Sequence, residues 1–308
     1  MEHAYNTMVQ TLIRIENRWL SMDIFPEGGG KITSIFNKKL QYEFLWRNQQ
    51  INLQSYPAGT EYDPVFYGGV DELLPNDIPE TVDGMVFPDH GELWTTPLNV
   101  EQITNGVTLR GVIPISKLNY QKTIWLDENA PLIHTDYLIR NDSSFPAKFL
   151  WKLHAALKIN KDDRILCSAR KAQVVDPEFS RFKQSEPFSW PLIDQTDVSL
   201  FPEKNGQMDF FYLYDLEQGE VGWENATHEF YFGYRFEKKV FPYVWLFTSY
   251  GGFLNHYTAV LEPCTSMPIS VNEAAGLGQT MILQPGETLS TTVTIIAGSI
   301  HDKNLFNN

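Results

Sequence analysis

The chain has 308 residues, of which 43% are hydrophobic and 14% aromatic, and it carries a net charge of −14. That apolar content is enough for a large buried core, whereas so acidic a surface repels nucleic-acid phosphates and anionic membranes. No stretch reaches the roughly 18 apolar residues of a membrane span and the N-terminus does not read as a signal peptide, so we expect a soluble, cytoplasmic protein whose partner is a small uncharged molecule.

Period-two alternation, rich in β-branched and aromatic residues, runs through the chain from its first segments. It predicts strands at 11–16, 19–25 and 31–36, the last two joined by a turn through the glycines at 28–30. Further strands are predicted at 107–113, 120–126, 132–139, 148–159, 210–214, 229–236, 243–248, 257–261, 279–283 and 289–297. Helical stretches of ten or more residues are nearly absent, and parallel strands need long crossovers. The pattern therefore predicts one all-β domain over residues 1–308, a large antiparallel β-sandwich.

Two segments interrupt this pattern. Residues 55–94 are rich in Gly, Pro, Asp and Glu, and residues 172–205 are similarly irregular. A long irregular segment in a compact β domain usually lies at the surface or lines a cleft, because its backbone polar groups need partners. We expect residues 55–94 to form one wall of a functional cleft and residues 172–205 to form another.

Three short clusters along the chain carry side chains that could do chemistry. His90 stands before Gly91 near the end of the first irregular segment, where a glycine lets a ligand approach the backbone. In a strand over 148–159, Lys152 and His154 share one face. Glu262 follows the strand at 257–261 and precedes a proline, which would hold its carboxylate at a strand end. Taken singly, each cluster is also compatible with a surface turn, a solvated sheet face or an exposed strand terminus.

Other kinds of catalytic or metal site have weaker support. No HExxH, GxSxG, CxxC, Walker-type or GxGxxG-before-helix motif occurs. His90, His154, Asp89 and Glu262 are suitable metal ligands by residue type, but their spacing does not require a metal ion. A metal site therefore stays an alternative to acid–base chemistry.

Most of the aromatic residues are most simply interpreted as part of the hydrophobic core, and the two cysteines can be as well. Tryptophan can also stack on the apolar face of a sugar ring, and we expect one or two tryptophans to face a ligand. The candidates are Trp46, Trp94, Trp223 and Trp245. Cys167 and Cys264 are either two small buried hydrophobic residues or one disulfide.

Together and in this order, several segments resemble the aldose 1-epimerase, or galactose mutarotase, superfamily. They are GGGKITSIFNKKLQYEFLW, GGVDELLPN, PDHGELW, LDENAPLIHTDYLIRNDSSFPAKFLWKLHAALKI, LEPCTSMP and LQPGETLSTTVTI. The resemblance spans most of the chain and implies the galactose mutarotase-like supersandwich fold. It also implies an isomerase that interconverts the α and β anomers of an aldose by acid–base ring opening, with no cofactor and no metal required.

The resemblance implies roles for individual residues as well. Glu262 matches the base that takes the proton of the anomeric hydroxyl, His154 matches the acid that protonates the ring oxygen, and His90 would bind a ring hydroxyl or steady the charge on the ring oxygen. The other expected sugar-binding residues are Lys152, Trp94, Asp71, Glu72 and Asn76. An aspartate that holds sugar hydroxyls is expected between His154 and Glu262, and the candidates are Asp194, Asp197 and Asp209.

The leading hypothesis is thus an aldose 1-epimerase-like enzyme that acts on a neutral sugar. Many mutarotases carry an arginine before the first histidine, and GGVDELLPN has none. That absence favours the alternative, a non-catalytic carbohydrate-binding or sensing protein on the same fold. Asp71 and Glu72 argue against a phosphosugar unless they face away from the site. A lyase or hydrolase is a third hypothesis, but hydrolysis needs a second carboxylate across the scissile bond, and the sequence does not place one.

Overall fold

Strands make up most of the chain, as the alternation predicted. The computed structural model describes residues 11–225 and 227–307. In chain order the strands are β1 (Ile13–Glu16), β2 (Leu20–Phe25), β3 (Lys31–Asn37), β4 (Tyr42–Glu43), β5 (Val70–Leu73), β6 (Glu80–Val82), β7 (Met85–Phe87), β8 (Asn99–Ile103), β9 (Gly106–Val112), β10 (Leu118–Leu126), β11 (Leu132–Asn141), β12 (Ala147–Phe149), β13 (Lys152–Lys158), β14 (Arg164–Val174), β15 (Phe188–Ser189), β16 (Leu192–Ile193), β17 (Thr196–Asp197), β18 (Gln207–Asn225), β19 (Phe230–Arg235), β20 (Tyr243–Tyr250), β21 (Tyr257–Cys264), β22 (Met281–Leu283) and β23 (Thr288–Ser299).

The helical segments are short. One α-helix, α1 (Val271–Gly276), begins after Ser270, whose hydroxyl accepts a hydrogen bond from the Glu273 N–H at 3.2 Å. The 3-10 helices are Pro26–Gly28, Asp63–Val65, Leu93–Thr95 and Ile300–Asn307. Within the described residues, no helix has the length and apolar character needed to cross a membrane.

Two runs of antiparallel strands share the long strand β18. One run has the order β5, β13, β21, β20 and β18, and the other continues from β18 through β19, β23, β11 and β10 to β9. Apolar side chains from both runs form one large buried cluster, to which β13 contributes Leu153, Ala155 and Leu157. Because successive side chains of a strand point to opposite faces, Lys152 and His154 lie on the other face of β13. The prediction of a large antiparallel β-sandwich is confirmed.

The observed strands differ from the predicted ones where charged residues or an interruption of a strand cannot be recognised from the alternation. The predicted strand at 148–159 is divided into β12 and β13, because the Leu150 N–H bonds to the Pro75 carbonyl and leaves the sheet there. Strand β5 lies inside the segment that was predicted to be irregular. It was not predicted because its two central residues are charged and give no apolar alternation. Glu262 lies inside β21 and not at its end, since the strand continues through Pro263 to Cys264.

Candidate active site

The sheet register brings His154 and Glu262 to the same place. Strand β13 lies between β5 and β21, and His154 is opposite Asp71 of β5. On the other side Lys152 pairs with Cys264 and Ala155 pairs with Leu261, so the antiparallel register sets His154 across from Glu262. The ladder between β13 and β21 skips this pair, because Pro263 has no N–H to donate.

A cavity of about 530 Å³ lies over this part of the sheet, and we call it the central cavity. His154, Glu262, His90 and Lys152 all line it, so the structure brings four of the predicted site residues together. The segment at 55–94 supplies one wall and the segment at 172–205 supplies Phe179 at the rim. Both irregular segments therefore border the same cavity.

Lys152 is the charged centre of the cavity. Its Nζ lies 2.6 Å from Asp77 Oδ1 and 2.7 Å from Glu262 Oε2, and it sits 4.5 Å from the centre of the Trp245 ring. Burial acts to lower the pKa of Lys152, but the two carboxylates outweigh it and raise that pKa above its ordinary value. Burial raises the pKa of Glu262 to about 7, although the Lys152 ammonium acts in the opposite direction. Near neutral pH, Glu262 can therefore either take or hold a proton.

His154 is held as a neutral imidazole. Burial lowers its pKa well below the ordinary value, and the nearby cations Lys152, His90 and Lys31 act in the same direction. The Tyr62 hydroxyl donates to Asp71 Oδ2 at 2.6 Å and lies 3.4 Å from His154 Nδ1. Because the single hydroxyl proton is used on the carboxylate, the tyrosine oxygen accepts from the Nδ1–H. Nε2 then carries a lone pair that can accept from a ligand.

In contrast to His154, His90 is stabilised in its protonated form. Its Nδ1 lies 2.8 Å from Asp89 Oδ1, and its ring stacks on Tyr62 at 4.4 Å between centroids. Burial alone would lower the pKa of His90, but the Asp89 hydrogen bond and the Asp77 charge raise it above the ordinary value. Gly91 has a φ of +74°, and a Cβ there would come within 2.4 Å of the Leu74 carbonyl oxygen. The glycine after His90 thus allows its backbone to pass close to the backbone at Leu74.

Asp71 and Glu72 lie outside the cavity and face opposite sides of β5. Asp71 stands behind Tyr62 and pairs with Lys31 at 2.9 Å. Glu72 points into the core, where it accepts from the Lys122 ammonium at 2.8 Å and from the Tyr137 hydroxyl at 3.0 Å. Adjacent residues of a strand cannot both face one cavity, so the expectation that both would contact the sugar does not match their positions.

Asn76 and Trp94 are also placed behind the cavity wall. The Asn76 amide donates to the carbonyls of Ile78 and Pro88 and so closes the loop between them. Trp94 is buried and packs its ring against the edge of Tyr62 at 5.1 Å. The candidate tryptophans and the candidate aspartates of the sequence analysis likewise do not line the central cavity: Trp46, Trp223, Trp245, Asp194, Asp197 and Asp209.

Several lining residues were not predicted individually. Tyr62, Asp63 and Asp77 come from the segment at 55–94. Apart from Tyr62 and the two histidines, the aromatic residues described in the lining are phenylalanines and not tryptophans. The one available signal was the composition of that segment, which marks a cleft wall without telling which side chains face inward. Among the described residues, no group of three or more His, Cys, Asp or Glu side chains is placed to hold a metal ion. In this structure Cys167 and Cys264 are not joined to each other.

A second cavity of about 530 Å³ lies between β14, β18 and the C-terminal 3-10 helix. Its cations Arg164 and Lys303 are about half exposed, and each is near a surface carboxylate at 3.9 Å and 3.5 Å respectively. Such ion pairs are solvated and contribute little. The buried, shifted titratable groups of the central cavity make it the candidate active site.

Many solved structures with a similar fold are described as aldose 1-epimerases or galactose mutarotase-like proteins. A protein from Synechocystis sp. PCC 6803 matches with a TM-score of 0.74 at 12% identity, covering 97% of this chain and 99% of its own. A proposed aldose 1-epimerase from Escherichia coli K12 matches with a TM-score of 0.71 at 13% identity, covering 94% and 99%. A galactose mutarotase-like protein from Clostridium acetobutylicum matches with a TM-score of 0.68 at 14% identity, and the match covers 94% of this chain and 95% of that protein. No protein-family model and no curated protein matches the chain. At these identities the likeness establishes the fold, and at that level it confirms the resemblance seen in the sequence.

Proposed function

We propose that this chain, which has the galactose mutarotase-like fold, is an aldose 1-epimerase-like enzyme that interconverts the α and β anomers of a neutral aldose. The observation that carries the proposal is the central cavity itself, where Glu262, His90 and His154 meet with pKa values displaced in different directions. Titratable groups whose environments push their pKa values apart are suited to separate acid and base roles.

In the proposed reaction, the Glu262 carboxylate takes the proton of the anomeric hydroxyl. The C1–O1 bond becomes a carbonyl, the C1–O5 bond breaks, and its electron pair goes to the ring oxygen, which takes a proton from the His90 imidazolium. After rotation about C1–C2, O5 attacks the other face of the carbonyl, His90 takes its proton back and Glu262 returns a proton to O1. His154 accepts a hydrogen bond from a sugar hydroxyl through Nε2. No proton is gained or lost over the cycle.

The assignment of the acid departs from the sequence analysis, which gave that role to His154. His154 donates Nδ1–H toward Tyr62 and has a lowered pKa, whereas His90 is paired with Asp89 and has a raised pKa. We therefore expect His90→Asn to lower kcat/KM by about 10²–10⁴-fold and to remove the alkaline limb of the pH profile. His154→Asn should lower kcat/KM less and keep that limb. The reverse order of effects would return the acid role to His154.

The charge of the cavity supports an uncharged sugar. Lys152 is already engaged by two carboxylates, and Asp63 adds a third carboxylate to the lining. An anionic substrate would meet these carboxylates without a free ammonium or guanidinium group among the described lining residues. A neutral aldose requires no such partner.

The direct test is anomer exchange in the presence of the protein. Pure anomers of a broad panel of neutral aldoses would be followed by polarimetry, and equilibrium exchange by NMR magnetisation transfer. We expect exchange above the buffer rate for at least one sugar of the panel. No acceleration with any of them would contradict the proposal.

The rate of exchange should depend on pH in a bell shape. Below about pH 7 the raised pKa of Glu262 leaves it protonated and unable to take a proton, so kcat/KM should fall about tenfold per pH unit. On the alkaline side the rate should fall as His90, whose pKa is raised above its ordinary value, loses its proton. The measurement is kcat/KM between pH 5 and 9. An acid limb near 4.3, the ordinary pKa of glutamate, would contradict this account of Glu262.

A further inference from the structure

The central cavity has two chemically different ends. Of the sixteen described residues that line it, seven carry a titratable or hydroxyl side chain, and they include Glu262, His90 and His154. The other nine have no nitrogen or oxygen in their side chains. One of the nine, Phe66, lies beside Tyr62 and His154, with ring centroids 5.6 Å from each, and we call the part lined by the other eight the apolar end. Its floor is formed by Phe210, Phe247 and Val260, and its rim by Phe179, Phe253 and Leu254.

The floor of the apolar end lies one row along the strands from the proposed catalytic residue. Val260 is two residues before Glu262 on β21, pairs with Phe247 of β20, and Phe247 pairs with Phe210 of β18. Two residues of a strand span about 7 Å. A ligand whose C1 lies at Glu262 can therefore reach these three side chains with a substituent of a few atoms.

The rim leaves large apolar side chains uncovered. Phe179 is 62% exposed and Leu254 is 57% exposed. Leu254 also has a φ of +46°, which is a costly conformation for a branched residue, and its side chain is not buried in return. Phe253 is fixed edge-on against Phe247, with ring centroids 5.3 Å apart. The rim is thus a partly rigid apolar surface open to the cavity.

The two ends would bind different parts of one ligand. A second hydroxylated sugar ring at the apolar end would lose water from its hydroxyls without gaining side-chain partners, which costs binding free energy. An apolar group there would gain about fourfold in affinity for each methylene that is buried. We infer that the substrate is a reducing sugar with an apolar substituent away from C1, with its ring at the charged groups and the substituent at the apolar end. The inference rests on the proposed function for the orientation of the ring.

A homologous set of reducing sugars tests the inference. The probes are glucose, galactose, their 3-O-, 4-O- and 6-O-butyl ethers, and maltose as a 4-O-substituted sugar with a hydrophilic substituent. Anomer exchange gives kcat/KM, and titration calorimetry gives Kd. At least one butyl ether should exceed its parent by about tenfold or more in affinity, as partial burial of the four carbons of the butyl group implies, while maltose should show no gain over glucose.

A variant at the rim links any preference to the apolar end. Phe179→Ser should bring the ratio between the preferred ether and its parent close to one. The matched control is Phe145→Ser, a change of the same kind at a 74% exposed phenylalanine outside the cavity, and it should leave the ratio unaltered.

The outcomes separate this inference from the proposed function. Tighter binding of an ether without anomer exchange would support an apolar substituent and contradict the proposed epimerase activity. Exchange of the parent sugars with no gain in affinity for any ether, or with an equal gain for maltose, would support the epimerase activity and contradict the inference of an apolar substituent. The absence of both binding and exchange would overturn the two together.

Discussion

Glu262→Gln is expected to lower the rate of anomer exchange by about 10²–10⁴-fold. Glutamine has the shape of glutamate and can still form hydrogen bonds, but it cannot take the proton of the anomeric hydroxyl. The protein should still fold, because Lys152 keeps its 2.6 Å contact with Asp77. The rate would be measured near neutral pH with the sugar that the unaltered chain converts fastest.

The matched control is Glu203→Gln, which removes a 72% exposed carboxylate that pairs with surface Lys161. Exchange in this control should equal that of the unaltered chain. An unchanged rate in Glu262→Gln would remove Glu262 from the mechanism. If the unaltered chain binds sugar without exchange and Glu262→Gln changes only the affinity, the chain is a carbohydrate-binding protein and not an epimerase.

Lys152→Met is expected to lower the free energy of unfolding by about 3–5 kcal/mol. The substitution leaves Asp77 and Glu262 buried without the cation that both contact. It should also raise the pKa of Glu262 further, because the Lys152 ammonium now lowers it. The acid limb of the pH profile should then move to higher pH. Urea unfolding at neutral pH measures the first effect, and kcat/KM against pH measures the second.

Two further variants frame this result. Lys161→Met removes a surface ammonium that is 56% exposed, and it should leave the free energy of unfolding nearly unchanged. Adding Asp77→Asn to Lys152→Met should recover part of the loss, because it removes a buried carboxylate that has lost its ammonium partner. Equal stability of Lys152→Met and Lys161→Met would show that the buried ion pairs do not hold the site together.

Much of the fold was predictable because alternation is a direct record of which face of a strand is buried. The strand at 243–248 was predicted within two residues of its observed end, and β13 was predicted with Lys152 and His154 on one face. Strand β5 was not, because Asp71 and Glu72 give it no apolar alternation. Both charges are buried against partners remote in sequence, Lys31 and Lys122. Local pattern cannot anticipate such partners.

The site could be predicted only in part for the same reason. Residue type marked His90, His154 and Glu262 as candidates, and the sheet register brings them to one cavity. Their protonation preferences depend on contacts such as Tyr62 with Asp71, which no spacing in the sequence reveals. The phenylalanine lining also escaped prediction, because an apolar side chain at a cavity looks like any core residue in the sequence.

Tyr62 determines more of the site than its single hydroxyl suggests. Its backbone N–H fixes Asp89, its ring supports His90 and its hydroxyl lies beside His154, although Tyr62 itself belongs to no strand. Glu262 is thus carried by the sheet, whereas Tyr62 and Asp89, which contact the two imidazoles, lie in the loops on either side of β5. Exchanging the loops at 55–69 and 74–94 for the corresponding loops of another protein of this fold, with β5 kept, would change which groups donate and which accept without replacing a strand of the sheet.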